Sequence, residues 1–159
     1  MKIRIIAVGK VKDDYLRLGI EEYIKKISRY ADIQICEVKD QPIHNEKSLI
    51  EIENAKNKEG EDILKLIKDS DYIINLDLNK KEMKSEEFAK FLDEKSVISG
   101  SFITFIIGGS YGLSDKVKAR ANEAISLSKM TFLHGMTRLI ILEQIYRAYK
   151  ILNNEVYHK

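Results

Sequence analysis

The last third of the sequence carries most of the side chains that could bind an anion or move a proton. His134 precedes a long helical pattern containing Arg138, Glu143 and Arg147, and Tyr157-His158-Lys159 stands at the end. Imidazole changes charge near neutral pH, so His158 is a candidate base, whereas arginine and lysine pair with phosphates. Two plainer interpretations stay open. Glu143 and Arg147 have the i,i+4 spacing of an ordinary surface ion pair, and the last residues can be an inert, frayed terminus.

The helix predicted for residues 135–152 is apolar around most of its circumference. Its polar side chains fall within about one third of the helical turn: Glu143, Gln144, Arg147 and Lys150. An apolar sector this wide predicts burial on two sides and favours self-association through this helix, with Ile141 and Ile145 at the interface. Arg138 lies nearly opposite the polar side. Either it extends from the first helical turn to solvent, or it is a charge placed at an interface or an anionic substrate.

Three segments that follow predicted strands are candidates for a ligand site. They are Leu76-Asp77, the Gly-Gly-Ser-Tyr-Gly segment at 108–112, and residues 128–132. Ligands of open parallel sheets bind beyond the carboxyl ends of the strands, and glycines let the backbone approach a ligand closely. The glycine spacing matches neither the phosphate-binding loop nor the dinucleotide fingerprint. A tight turn between a strand and a helix is the alternative explanation.

Histidine and cysteine usage argues against metal chemistry. The three histidines are scattered, and no His-x-x-His, His-Glu-x-x-His or Cys-x-x-Cys spacing occurs. Cys36 is the single cysteine, which excludes a disulfide framework. The first residues lead into too short an apolar segment for a secretory signal, and no apolar run approaches a membrane span. We therefore expect a reduced, cytoplasmic protein.

The net charge of +2 is distributed unevenly along the chain. Residues 1–30 hold eight basic and four acidic side chains, a net of +4, and residues 129–159 hold five and two, a net of +3. The middle, residues 31–128, therefore carries −5. Basic ends are compatible with a polyanionic partner, because a local positive patch attracts phosphates. Ordinary solvated helix faces are the alternative.

Strands and helices alternate along the 159 residues, which predicts an α/β fold with a mostly parallel sheet and helices on both faces. Apolar runs predict the strands: residues 3–8, 33–38, 72–76, 101–107 and 124–128. Helical spacing of apolar side chains predicts the helices: residues 13–30, 49–68, a segment capped by Ser85, a short segment opened by Ser114-Asp115, and 135–152. Because no repeat or linker interrupts the pattern, residues 1–159 are expected to form one domain.

Several motifs occur in an order and at a spacing that together are highly specific. They are Ile6-Ala7-Val8-Gly9-Lys10, Leu76-Asp77 with Ser85-Glu86-Glu87-Phe88-Ala89, Phe105-Ile106-Ile107-Gly108-Gly109-Ser110-Tyr111-Gly112-Leu113, Ser126-Leu127-Ser128-Lys129-Met130-Thr131-Phe132, Glu143-Gln144-Ile145-Tyr146-Arg147-Ala148 and Tyr157-His158-Lys159. With these motifs the sequence resembles, over its whole length, the ribosomal RNA large subunit methyltransferase H family. The members of this family are small methyltransferases of the SPOUT class.

The resemblance implies an activity, a fold and partners. The activity is S-adenosylmethionine-dependent methylation of N3 of pseudouridine at position 1915 of 23S rRNA, on the assembled ribosome. The fold is an α/β SPOUT domain with a C-terminal trefoil knot, which no sequence pattern reveals by itself, and the protein is expected to be a homodimer. The family's cofactor residues correspond to Leu76, Gly108, Gly109, Leu127, Ser128, Lys129, Met130, Thr131 and Phe132. Its substrate and catalytic residues correspond to His134, Arg138, Glu143, Arg147, Tyr157 and His158.

The side chains fit methyl transfer without a metal. A sulfonium already activates its methyl group, so an enzyme must align that group with the nucleophile. N3 of pseudouridine carries an imide proton, so a base such as His158 and donors to the flanking carbonyl oxygens are useful. Arg138 and Arg147 are candidates to hold phosphates or developing charge, and Tyr157 to stack on the base. Residues 153–159 have few apolar groups to anchor them, so we expect a mobile tail that closes over RNA.

Several positions depart from the family pattern. Leu133 stands where the family has proline, Gly135 where it has glutamine or proline, and Lys80 where a glycine is customary. Asn154 and Val156 replace a glycine and a proline before the last motif. These changes bear on loop rigidity more than on activity. Two other functions stay open: a ribosome-associated module without activity, and a class I methyltransferase or nucleotide-binding enzyme, which the position of the glycines disfavours.

Overall fold

The computed structural model describes residues 1–157, in which five strands alternate with five helices. The strands are β1 (Lys2–Val8), β2 (Asp32–Val38), β3 (Tyr72–Lys81), β4 (Ile103–Ile107) and β5 (Glu123–Ile125). The helices are α1 (Asp14–Ile27), α2 (Leu49–Lys65), α3 (Ser85–Ile98), α4 (Asp115–Arg120) and α5 (His134–Leu152). Each predicted strand and helix is present, and the largest difference in bounds lies at the end of β3.

The strands form one sheet in the order β2-β1-β4-β3-β5, and each pair of neighbours is parallel. Successive side chains of a strand point to opposite faces. Accordingly, Ile3, Ile5 and Ala7 of β1 join a core with α1, α3 and α5, whereas Ile6 and Val8 join a second core with α2 and α4. The predicted α/β fold with helices on both faces is confirmed.

The far end of β3 explains a departure from the family pattern. Strand β3 runs five residues beyond the predicted end, and Asn79 adopts a left-handed backbone conformation with φ of 58°. The next amide, that of Lys80, donates to Ser126 Oγ at 2.8 Å, and the Ser126 amide donates to the Lys81 carbonyl at 2.9 Å. Because Asn79 and not Lys80 takes the left-handed conformation, a lysine fits at position 80. Asn154, at φ of 54°, likewise takes a conformation that glycine favours.

The start of α3 differs from the prediction that Ser85 caps it. Ser85 is the first residue of the helix, and Lys84 precedes it as the N-cap. The Lys84 amide donates to Glu87 Oε2 at 2.8 Å, so a glutamate of the first turn satisfies this end. The Ser85 hydroxyl instead donates to Gln144 Oε1 at 2.8 Å and joins α3 to α5. The capping prediction was wrong because this hydroxyl has a tertiary partner.

The wide apolar sector of α5 packs against other helices of the same chain. It packs against both α1 and α3 over the sheet, and Ile141, Leu142 and Ile145 are completely buried. Burial on two sides is confirmed, but the two neighbours are helices of the same chain. The prediction that Ile141 and Ile145 lie at an interface between subunits is therefore wrong. Within residues 1–157, neither α5 nor any other helix has the length and apolar character needed to cross a membrane.

Candidate functional site

Loops at the carboxyl ends of β3, β4 and β5 enclose a cavity of about 310 Å³, here called the edge cavity. Eight of the nine predicted cofactor residues line it: Leu76, Gly108, Gly109, Leu127, Ser128, Met130, Thr131 and Phe132. Lys129 is exposed and is not part of the lining. Three loops that are distant in sequence thus meet at one place, as expected from the parallel sheet.

The second of these loops, residues 108–112 after β4, makes a tight turn that depends on its glycines. The Gly112 amide donates to the Gly109 carbonyl at 3.0 Å, and Gly112 has a φ of +87°. A Cβ on Gly108 would lie 3.0 Å from both the Gly112 backbone and the Leu113 side chain. A Cβ on Gly109 would lie 3.2 Å from Glu59 and Val8. The tight-turn explanation therefore applies to Gly108 and Gly109, whose absent side chains make room for protein atoms.

The third loop leads from β5 directly into α5. Ser128 Oγ accepts the Met130 amide at 3.0 Å, which turns the chain toward the helix. Met130 and Leu133 are 74% and 58% exposed, so the rim of the edge cavity is apolar and open to solvent. The Leu133 carbonyl accepts the Thr137 amide at 2.9 Å and begins α5. The first turn of α5 is consequently part of the cavity wall.

Sequence reasoning missed part of this wall. His134 was proposed as a catalytic residue, and it contributes to the lining from the start of α5. Its Nδ1 atom is buried and has no hydrogen-bond partner within residues 1–157. Asp77, Ser110 and Gly112 fall in the predicted ligand segments, although they were not among the named cofactor residues. The lining residues outside every predicted segment are Leu78, Ile107, Leu113, Leu133 and Thr137. Most of them adjoin predicted residues in sequence, so extending each segment by one position would have found them.

Arg138 lies one turn further along α5 and is only 3% exposed. Its guanidinium pairs with Glu37 Oε2 at 2.7 Å and donates to the Gly9 carbonyl at 3.3 Å. Of the two interpretations left open for Arg138, extension to solvent is wrong. Within the described chain it is not placed on the edge cavity either, because its polar partners lie at the ends of β1 and β2. Arg138 ties the start of α5 to those strands.

Three other predicted catalytic residues, Glu143, Arg147 and Tyr157, form a separate group with Tyr23, which was not predicted; the four are here called the distal cluster. Arg147 Nε donates to Glu143 Oε1 at 3.1 Å, and the Tyr157 hydroxyl donates to the same oxygen at 3.2 Å. The Tyr23 hydroxyl lies 3.3 Å from that of Tyr157, and the Arg147 guanidinium lies 4.8 Å from the Tyr157 ring centre. The i,i+4 ion pair is therefore present, and it also holds the tail.

The tail is better anchored than its composition predicted. The ring of Tyr157 packs edge-on against Tyr146 at 4.9 Å, and Glu155 accepts from Tyr30 at 2.9 Å and pairs with Lys150. Up to Tyr157, the expectation of an unanchored segment was wrong because it counted apolar groups and overlooked hydroxyl and carboxylate partners. His158 and Lys159, on which the proposed base falls, lie outside the described residues.

The pKa values of two side chains of the distal cluster, Tyr157 and Arg147, are raised by their surroundings. Burial, with the Tyr23 hydroxyl and the Glu143 carboxylate close by, raises the pKa of Tyr157 well above its usual value. The hydrogen bond to Glu143 raises the pKa of Arg147 as well. Near neutral pH, Tyr157 is therefore a neutral donor and Arg147 a cation. Neither side chain can act as a general base there.

The edge cavity and the distal cluster occupy different parts of α5. Arg147 lies thirteen positions after His134, about 20 Å at the helical rise, and Glu143 lies six positions after Thr137 of the cavity wall, about 9 Å. Of the six residues predicted to be catalytic, the described chain places only His134 on the cavity wall. Residues 1–157 contain no group of three or more His, Cys, Asp or Glu side chains able to hold a metal ion.

The protein has an α/β fold with a cavity of small-molecule size beyond the carboxyl ends of its strands. A family model described as "Predicted SPOUT methyltransferase" matches residues 1–158. The chain therefore belongs to the SPOUT methyltransferase family.

Similar proteins extend over the whole chain. Proteins named "Ribosomal RNA large subunit methyltransferase H" are 51% identical in Alkaliphilus oremlandii, 50% in Carboxydothermus hydrogenoformans and 49% in Clostridioides difficile, each covering 100% of both chains. The solved structure of a probable methylase family protein from Haemophilus influenzae Rd KW20 shares the fold, with a TM-score of 0.52 and 16% identity. That match covers 99% of this chain and 70% of the other. The resemblance and the expectation of a methyltransferase are confirmed, and the class I alternative is not supported.

Proposed function

We propose that this methyltransferase transfers a methyl group from S-adenosylmethionine to N3 of pseudouridine 1915 in 23S rRNA, on the assembled ribosome. The edge cavity carries the proposal, because it offers a small-molecule site where three loops meet. Identity of 49–51% to full-length relatives named for a ribosomal RNA methyltransferase supports the choice of substrate. The C-terminal trefoil knot and a cytoplasmic location belong to the same proposal.

The edge cavity suits S-adenosylmethionine in size and chemistry. Its volume of about 310 Å³ falls within the range of small-molecule sites. Apolar side chains and backbone make up most of the wall, and Asp77 is the one carboxylate among its described lining residues. A single carboxylate in an apolar wall favours a cationic ligand such as a sulfonium. When bound, S-adenosylmethionine supplies an already activated methyl group, so the reaction needs no metal.

The chain's own residues would bind, orient and take up a proton. Leu76, Leu127 and the backbone of the second loop would hold the donor in place. His134, half-buried at the cavity wall, would orient the target base. His158 would accept the imide proton of N3, because it is the one tail residue that can act as a base near neutral pH. Arg147 and Tyr157 would stabilise charge and position the base from the distal cluster.

A homodimer would bring these groups together. Since Arg147 lies about 20 Å along α5 from His134 of the same chain, and Glu143, Arg147 and Tyr157 are not among the lining residues of its edge cavity, the tail of a second subunit is the better source of catalytic groups. The exposed apolar side chains Tyr15 and Leu18 of α1, and Leu133 at the start of α5, support self-association. They are 65%, 59% and 58% exposed, and burying them would stabilise a dimer.

The decisive experiment combines the protein, labelled S-adenosylmethionine and assembled ribosomes lacking this modification, followed by mapping of the modified base. Label at N3 of pseudouridine 1915 is expected. Label at another nucleotide would overturn the choice of target, and absence of transfer with intact donor binding would favour a ribosome-associated module without activity.

Mixing two inactive variants tests the shared site. Gly112→Val places a branched side chain at a φ of +87° on the cavity wall, and removal of residues 153–159 deletes the tail. Random exchange of subunits makes half of the dimers mixed, each with one complete site, so activity should return to about a quarter of the wild-type value. No recovery in a mixture that demonstrably exchanges subunits would show that one chain supplies both parts.

A further inference from the structure

A second cavity, of about 700 Å³, opens beside the edge cavity. It is formed by the loop between β1 and α1, the end of β2 and the start of α5. It shares Leu133 and His134 with the edge cavity. We call it the lysine groove, and its lining is Gly9, Lys10, Val11, Lys12, Asp13, Leu16, Glu37, Val38, Lys39, Asp40, Leu133, His134 and Gly135. A molecule bound in this groove would therefore touch the same histidine that borders the proposed methyl donor.

The groove contains three lysine side chains that are available to bind a ligand. Lys10, Lys12 and Lys39 are exposed, and none of the ion pairs found within residues 1–157 involves them. The carboxylates of the groove are partly engaged elsewhere. Glu37 is neutralised by Arg138 at 2.7 Å, whereas Asp13 and Asp40 also line the groove and take part in none of the ion pairs found within residues 1–157. Three unpaired lysines therefore outnumber two carboxylates that have no cationic partner among the described residues, which favours an anionic ligand.

The two other cavities that adjoin the edge cavity have a different character. One, of about 150 Å³ behind the second loop, contains three carboxylates against a single lysine, and would repel phosphate. The other, of about 190 Å³ between α3 and α5, is lined without charged side chains. Of these three neighbours, the lysine groove alone combines cations with enough volume for a nucleotide.

We propose that the lysine groove holds the phosphate backbone of single-stranded RNA next to the target base, and so delivers the base to His134. The proposal rests on the proposed function and extends it to the path of the RNA. A single strand fits because its bases can be turned outward into a protein cavity, whereas a duplex keeps them stacked. The RNA would enter from the side of α1 and β2, and the target base would point across the shared wall toward the edge cavity.

The test compares two triple variants with equal loss of charge. Lys10→Gln, Lys12→Gln and Lys39→Gln remove the cations of the groove. Lys90→Gln, Lys116→Gln and Lys118→Gln remove three exposed lysines of α3 and α4 that lie outside every cavity described here. The readouts are KM and kcat for ribosomes, calorimetric affinity for S-adenosylmethionine, and anisotropy of a labelled single-stranded RNA of about ten nucleotides at several salt concentrations.

For the groove variant, the KM for ribosomes should rise at least about tenfold, with kcat and donor affinity nearly unchanged. The slope of log affinity against log salt for the single-stranded RNA should fall by about 2, because each lost phosphate contact removes about 0.7. The control variant should behave as the wild type. An unchanged KM and salt slope in the groove variant would overturn the proposal. A changed sedimentation coefficient with unaltered RNA affinity would also overturn it, since the lysines would then serve contacts between subunits.

The design separates this proposal from the proposed function. If the wild type transfers no methyl group to ribosomes, the proposed function fails, whereas the affinity for single-stranded RNA still tests the groove. If the wild type methylates ribosomes and the groove variant does so with the same KM, only the proposal about the groove fails.

Discussion

The edge cavity and the distal cluster differ in the parts of the chain that form them and in the chemistry of their side chains. The edge cavity is built from three loops, and its lining contains backbone, glycine and apolar side chains with a single carboxylate. The distal cluster consists of charged and phenolic side chains that are hydrogen-bonded to one another on α5, α1 and the tail. Shape therefore dominates the first region and charge the second. Under the proposed function, the first region would bind the methyl donor, and the second would position the target base and stabilise charge.

Removing residues 153–159 should have the largest effect, and this effect should fall on methyl transfer and not on donor binding in the edge cavity. Methyl transfer should be abolished, whereas folding and the affinity for S-adenosylmethionine should remain nearly intact, because none of the described tail residues, 153–157, lines the edge cavity of the same chain. His158→Ala should lower turnover by roughly 10²–10⁴ if the imidazole is a general base. Transfer assays and calorimetry measure the two effects, with Val156→Ala, at a 91% exposed position, as the control. Full activity of the shortened protein would make the tail an inert terminus.

Aspartate substitutions should distinguish a position that stabilises the subunit from a position that holds two subunits together. Ile145→Asp would bury an unpaired charge in a completely buried position and cost several kcal/mol, so the protein should unfold at lower denaturant concentration. Leu18→Asp lies on an exposed position and should leave the stability of the subunit unchanged while dissociating dimers. Denaturation curves and sedimentation distinguish the outcomes. A wild type that is monomeric at micromolar concentration would remove the proposed dimer altogether.

The free energy of unfolding should depend on pH through Glu59, which lies next to Gly109 of the edge-cavity loop and outside the distal cluster. Burial and the neighbouring Asp40 side chain raise the pKa of Glu59 from 4.5 to about 7, although the Gln41 amide donates to its carboxylate. Between these pH values the folded protein holds a proton that the unfolded chain has released, so the free energy of unfolding should fall as the pH rises from 4.5 to 7, by at most about 3 kcal/mol. In Glu59→Gln this fall should be absent. A variant whose pH profile matches the wild type would contradict this assignment.

Trimming one apolar contact should give the smallest effect. Leu127→Ala removes a half-buried side chain from the edge cavity and should weaken S-adenosylmethionine binding about tenfold, or about 1.4 kcal/mol. Leu49→Ala, at an 80% exposed position on α2, is the matched control and should bind normally. Calorimetry on both variants checks the difference. Equal affinities would mean that the ligand does not reach the third loop.

Local patterns predicted the sheet and the edge cavity well, because both follow from short segments. Apolar runs fix strands, and parallel strands bring their carboxyl ends to one edge, so Leu76, Gly108 and Leu127 could be assigned to one site. The environment of Arg138 could not be predicted, because its partner Glu37 is 101 residues away in sequence. For Gly108 the sequence left a ligand contact and a tight turn open, because the choice depends on the packing of Leu113 within the turn. The helices and strands could be predicted from the sequence, whereas the contacts between their side chains could not.

Helix α5 also determines where the chain can change in length. One helix carries the wall of the edge cavity at His134, the buried contacts at Ile141 and Ile145, and the distal cluster at Arg147. A single inserted residue would turn everything beyond it by about 100° and shift it by about 1.5 Å. Such an insertion would move Arg147 out of its position while exposing buried side chains. Insertions should therefore be excluded from α5 in functional variants and accepted at residues 44–47, which are all exposed.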